Sequence, residues 1–93
     1  MKITRNTLMK MEEILLSFGY KVRYEKGNFH SSPCRIHANQ IIVINKFLEV
    51  SSRVEIMFHI LLDLELDLNR LSQAQKRILK KLEEVFKNRN IEA

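Results

Sequence analysis

Apolar residues recur at helical spacing from about Thr4 to Phe18, where Leu8, Met11, Ile14, Leu15 and Phe18 share one face. Gly19 follows where a helix would be capped, so the pattern predicts an amphipathic helix ending there. The stretch GYKVRYE then changes period: Tyr20, Val22 and Tyr24 fall on one side, Lys21, Arg23 and Glu25 on the other. Alternation of this kind marks a half-buried strand. KGNFHSSP is rich in turn formers and predicts a sizeable loop, with Phe29 as its one large apolar residue. CRIHA alternates as a short strand and ANQ reads as a tight turn. IIVI is a continuous β-branched run, the mark of a central strand covered on both faces.

Two more helices are expected. Ser51 and Ser52 can cap the first, which carries VEIMFHILLDLELDL; Ser72 with Gln75 forms an S-x-x-Q capping box for the last. The last helix should bury Ala74, Ile78, Leu79, Leu82, Val85 and Phe86 on one face. Short connections then fold the chain most simply as a single α+β domain over residues 1–93. It would be a three-stranded antiparallel meander packed with helices, in the order α-β-β-β-α-α.

Composition narrows the classes. The 93 residues are 45% hydrophobic and 29% charged, with two glycines and one proline, which suits a folded chain and argues against disorder. A domain of this size buries roughly 60 to 65 per cent of its unfolded surface, which leaves little room for an enclosed active site. Cys34 is the sole cysteine, so no internal disulfide can form. The stretch MKITRNTLMK lacks the apolar core of a secretory signal, so the cytoplasm is the expected location. The run VEIMFHILL is too short for a membrane span. The formal charge of +5 and the pI near 9.6 would suit an acidic partner such as nucleic acid, anionic lipid or an acidic protein surface.

Candidate chemistry centres on the second helix. Val54, Met57, Leu61, Leu64 and Leu68 fall on one side; Glu55, His59 and Asp63 line up at i, i+4 and i+8 on the other. Ile56, Leu62 and Leu66 flank that line, predicting a helix covered on most of its circumference by the last helix or by a second copy. The segment from GYKVRYEKGNF through IIVINKFLEVSSRVEIMFHILLD resembles the core of the ImmA/IrrE family of zinc metallopeptidases, over roughly residues 19 to 65. There, a strand ending in asparagine leads into a helix bearing H-E-x-x-H. The resemblance implies that His59 takes the place of the first zinc ligand, Ile60 that of the general-base glutamate and Asp63 that of the second histidine. An isoleucine cannot take a proton from zinc-bound water. His59, Asp63 and Glu55 remain candidate metal ligands, with His30 or His37 as conceivable additions. The alternative is a solvated stripe on which the carboxylates support the histidine. GNF-x-S-x-x-C followed by V-x-N-K also resembles small uncharacterised bacterial proteins, on Gly27, Asn28, Phe29, Ser31, Cys34, Asn45 and Lys46; that likeness implies no activity.

Other features carry less. Cys34 and His37 sit three apart on one strand and so point to opposite faces, which argues against a joint nucleophilic or metal role. Gly27, Asn28, Phe29, Arg35 and Lys46 make a possible loop site, in which the backbone N–H groups of Gly27 and Asn28, with Lys26 and Arg35 nearby, could bind an anion, though phosphate-loop spacing is lacking and a plain connection is the ordinary outcome. Lys76, Arg77, Lys80 and Lys81 crowd the first half of the last helix, against its macrodipole and against one another. They are candidates for contact with nucleic acid or an acidic partner, unless Glu83 and Glu84 simply pair with them. No catalytic residue and no cofactor is expected. The leading expectation is a non-catalytic, self-associating interaction or regulatory module. A basic nucleic-acid-binding module and a degenerate metallopeptidase-like protein keeping at most a metal site are the alternatives.

Overall fold

The computed structural model describes residues 2–26, 34–37 and 40–91, except for the side chains of 34–37 and 88–91. Helix α1 spans Arg5–Ser17. Thr4 caps it, its N–H donating to the Thr7 hydroxyl oxygen at 3.2 Å. Gly19, at φ +87°, takes the chain out of the helix in a left-handed conformation that a Cβ would strain. Strands β1 (Lys21–Glu25), β2 (Cys34–His37) and β3 (Ile41–Asn45) follow, then helix α2 (Val50–Asp63). A single 3-10 turn, Leu68–Arg70, leads into helix α3 (Gln73–Ile91).

The sheet is not the antiparallel meander expected from short connections. Its order is β1-β3-β2, with β3 central. β3 pairs antiparallel with β2, through Cys34 with Ile44 and His37 with Ile41, but parallel with β1, through Lys21 with Ile41 and Glu25 with Asn45. A meander would have placed β2 in the middle. The burial of Ile42, Val43 and Ile44 accords with the central place of β3, whose two edges are both paired.

α1 contributes Leu8, Met11, Ile14 and Leu15 to the core, β3 contributes Ile42 and Ile44, and α2 contributes Val54, Met57, Phe58, Ile60 and Leu61. α3 closes it with Leu79, Leu82 and Phe86, helped by half-buried Ile78 and Val85. Ala74, expected in that face, is exposed instead.

α2 differs from expectation at both ends. Ser51 and Ser52 lie inside the helix, and Glu49 is its N-cap without a side-chain hydrogen bond. Arg53 secures this end instead. Its Nε donates to the Leu48 carbonyl at 2.9 Å, another guanidinium nitrogen donates to the Lys46 carbonyl, and the group stacks 4.9 Å from the Tyr24 ring centre. At the far end the apolar period runs on to Leu68 but the helix stops at Asp63. Glu65 turns left-handed at φ +52°, and the Asp67 carboxylate accepts from the Asn69 N–H at 3.2 Å. Such local side-chain bonds offer the backbone an alternative to continuing the helix. Among the described residues, no helix is long and apolar enough to cross a membrane.

Candidate functional site

Helical spacing alone places His59 and Asp63 on the solvent side of α2, because the inner side is taken by Val54, Met57, Phe58 and Leu61. His59 is half exposed. Its Nε2 lies 3.9 Å from a carboxylate oxygen of Glu55, one turn back. The imidazole also rests against α3, with its ring centre 6.2 Å from that of Phe86, and Phe86 in turn meets Phe58 at 5.4 Å. His59 is thus a lid over the aromatic contact that joins the two helices. Asp63 is exposed and makes no ion pair with it among the described residues.

Ile60 decides what this helix can do. It is buried with 7% exposure and belongs to the core, so the position between His59 and Asp63 faces inward. A residue there carries no proton acceptor toward anything held by His59. The donor set does not fit a hydrolytic zinc centre, which needs a base beside the metal-bound water. Among the described residues, no three His, Cys, Asp or Glu side chains gather closely enough to hold a metal ion.

The basic residues of α3 lie where the sequence places them. Arg77, Lys80 and Lys81 are exposed and Lys76 is half buried. None of the four forms an ion pair among the described residues, so the expected pairing with Glu83 or Glu84 is not made. Lys76, Lys80 and Glu83 rim a hollow of about 200 Å³ between α2 and α3, whose walls are Phe58, Leu61, Leu62, Leu68 and Leu79. Leu62 stands 48% exposed at its edge. Val54, Met57, Phe58, Ile60 and Leu61 of α2 are covered by the chain itself, while Val50 and Ile56 are half-buried.

Of the loop residues singled out, Gly27, Asn28, Phe29, His30 and Ser31 lie outside the described residues, as do the side chains of Cys34, Arg35 and His37. Lys46 is exposed, its ammonium 5.5 Å from the centre of the exposed Phe47 ring.

A second hollow, of about 290 Å³, was not anticipated. It lies between α1 and β1, lined by Met9, Glu12, Glu13, Leu16, Tyr20, Lys21 and Val22. Met9 and Leu16 are 56% and 61% exposed. The signal for it was present: both fall off the buried stripe of α1 and, seven residues apart, on a common face. Glu12 of this lining accepts a hydrogen bond from the Tyr24 hydroxyl. Burial first, then that hydrogen bond and the nearby negative charge, hold the phenol well above its ordinary pKa, against a smaller opposing pull from Arg53.

Compared with known proteins, the chain matches no family model, no curated protein and no solved structure.

Proposed function

We propose that the chain is a non-catalytic interaction module that associates with copies of itself. The observation that carries this reading is the apolar hollow between α2 and α3, open beside Leu62 and rimmed by charges of both signs, Lys76, Lys80 and Glu83. A patch with an apolar centre and a mixed polar rim has the anatomy of a protein contact, and a two-fold axis through it would set each lysine near the other copy's glutamate. The buried isoleucine at position 60 supports the non-catalytic half of the proposal. Sedimentation velocity at high micromolar concentration should give a dimer, and Leu62→Glu should weaken it at least about tenfold, the effect of losing roughly 1.4 kcal/mol. A wild-type monomer under those conditions would overturn self-association.

A second reading is favoured by the four cations of α3 that lack ion-pair partners among the described residues: a weak, salt-sensitive nucleic-acid contact. Replacing Lys76, Arg77, Lys80 and Lys81 with glutamine should abolish any low-salt anisotropy change with single-stranded DNA or RNA oligonucleotides. Equal binding by the variant would sink it.

A further inference from the structure

Strand β1 lies at one edge of the sheet, and the hydrogen bonds on its inner side fix what its outer side presents. Lys21 donates its N–H to the Gln40 carbonyl at 3.0 Å, and the Glu25 carbonyl accepts from the Lys46 N–H at 3.1 Å. Backbone groups alternate along a strand, so Lys21, Arg23 and Glu25 turn theirs toward β3. Val22 and Tyr24 turn theirs outward, where no described strand lies. The side chains divide between the two faces. Val22 and Tyr24 are half-buried against the core, while Lys21 and Arg23 are exposed on the opposite face with Glu25.

The strand KVRYE is complementary to its own reverse. Resting on the reading of the chain as a self-associating module, and going beyond the contact at α2 and α3, we infer that copies also join edge to edge through β1. The two strands run antiparallel about a two-fold axis at Arg23, and the two sheets become one. Val22 and the partner's Tyr24 exchange both of their outward backbone hydrogen bonds, and the symmetry repeats the pair. On the helix side these pairs set a β-branched side chain against an aromatic one; on the other side Lys21 faces the partner's Glu25 at each end of the seam. Met9 and Leu16, exposed along the hollow that Val22 also lines, add apolar surface beside it. The cost is Arg23 opposite the partner's Arg23. Each guanidinium keeps its own Glu25 at 3.4 Å and has the partner's Glu25 on the diagonal, so carboxylates flank the repulsion.

Other registers and occupants fit worse. Centred on Val22, the strands would set Lys21 against the partner's Arg23 twice. Centred on Tyr24, they would leave Lys21 beyond the end of the partner strand. An acidic peptide would meet Glu12 and Glu13 in the hollow, and so would the phosphates of a nucleic acid. A basic peptide would meet Lys21 and Arg23.

The test uses the full chain, isotope-labelled and carrying Leu62→Glu to remove the contact at α2 and α3. Leu62 is 48% exposed, so that substitution spares the core. Amide spectra are recorded at low salt from about 20 micromolar to about 2 millimolar. The amides of Val22 and Tyr24 should shift with concentration, with a midpoint of about 1 millimolar, as suits a short seam. Adding Lys21→Glu or Glu25→Lys sets like charges at both ends of the seam, and each should weaken the contact at least about tenfold. Mixed in equal amounts, the two variants bring opposite charges together at both ends, so the shifts should return. That recovery separates lost contact from lost fold. Val22 and Tyr24 amides indifferent to concentration, undiminished association of either variant alone, or no recovery on mixing would overturn the proposal. Sedimentation of the wild-type chain keeps the two contacts apart. A dimer broken by Leu62→Glu whose Val22 and Tyr24 amides stay still loses the edge contact and keeps the other; shifting amides in a chain whose sedimentation ignores Leu62→Glu do the reverse.

Discussion

Ile60 is one position from His59 along the chain and on the opposite side of the helix in its surroundings: the histidine is half in water, the isoleucine almost wholly in hydrocarbon. A carboxylate placed there would be buried with no partner. Ile60→Glu should therefore cost about 3 kcal/mol or more in chemical denaturation at pH 7. The loss should be smaller near pH 4, because burial raises the folded-state pKa of the new group and the protonated form is cheaper to bury. A cost under 1 kcal/mol at pH 7 would mean that the position reaches solvent. Tyr24 works by the same linkage with a native group. Its phenol is protonated more tightly when folded, so its contribution is complete below the ordinary tyrosine pKa of about 10 and is lost as pH rises above it. Tyr24→Phe should cost about 1 kcal/mol at pH 7 and should flatten the fall in stability above pH 10, as followed by urea midpoints across that range. Glu55, His59 and Asp63 were legible in the sequence as one line because helical spacing alone puts them there. The cover of His59 by Phe86 was not, since it depends on how α3 lies across α2.

At the scale of elements, capping chemistry was readable where it is local and misread where two options compete. Ser72 accepts from the Gln75 N–H at 3.2 Å, while the Gln75 side chain accepts from the Ser72 N–H at 3.1 Å, the reciprocal pair that S-x-x-Q implies. Ser72→Ala should lower stability by about 1 kcal/mol in denaturant titration, and an unchanged midpoint would mean that α3 is held by packing alone. Ser51 and Ser52 offer the same chemistry, but the chain enters its helix one residue earlier, at Val50, with Arg53 tying the preceding carbonyls. Helix periodicity found the buried faces because burial and period report the same side, but it did not find where α2 ends or that Ala74 is exposed. Strand order was not, because alternation in β1 and β2 is compatible with several pairings. The informative residues were Ile41, Ile42, Val43 and Ile44: a run apolar on both faces belongs between two neighbours, which a meander denies it.

For the whole molecule, a small core is shared by three helices and a three-stranded sheet, and part of the apolar surface it leaves uncovered lines two hollows on different pairs of elements. One is walled by helices, the other by a helix and a strand. The parallel pairing of β1 with β3 has a further consequence, for the order of assembly. His37 meets Ile41 four positions on, whereas Lys21 meets the same residue only after the intervening chain has folded back. Sequence separation rises about fivefold between the two pairings, adding about 1.4 kcal/mol of loop-closure entropy to the longer one. The β2–β3 hairpin can therefore form early in refolding, and β1 docks late. The last strand to arrive is the one that meets no other described strand on its outer edge, so the nascent sheet spends its vulnerable interval with the apolar flank of β3 uncovered, and slow docking of β1 becomes the step at which misassembly competes with folding.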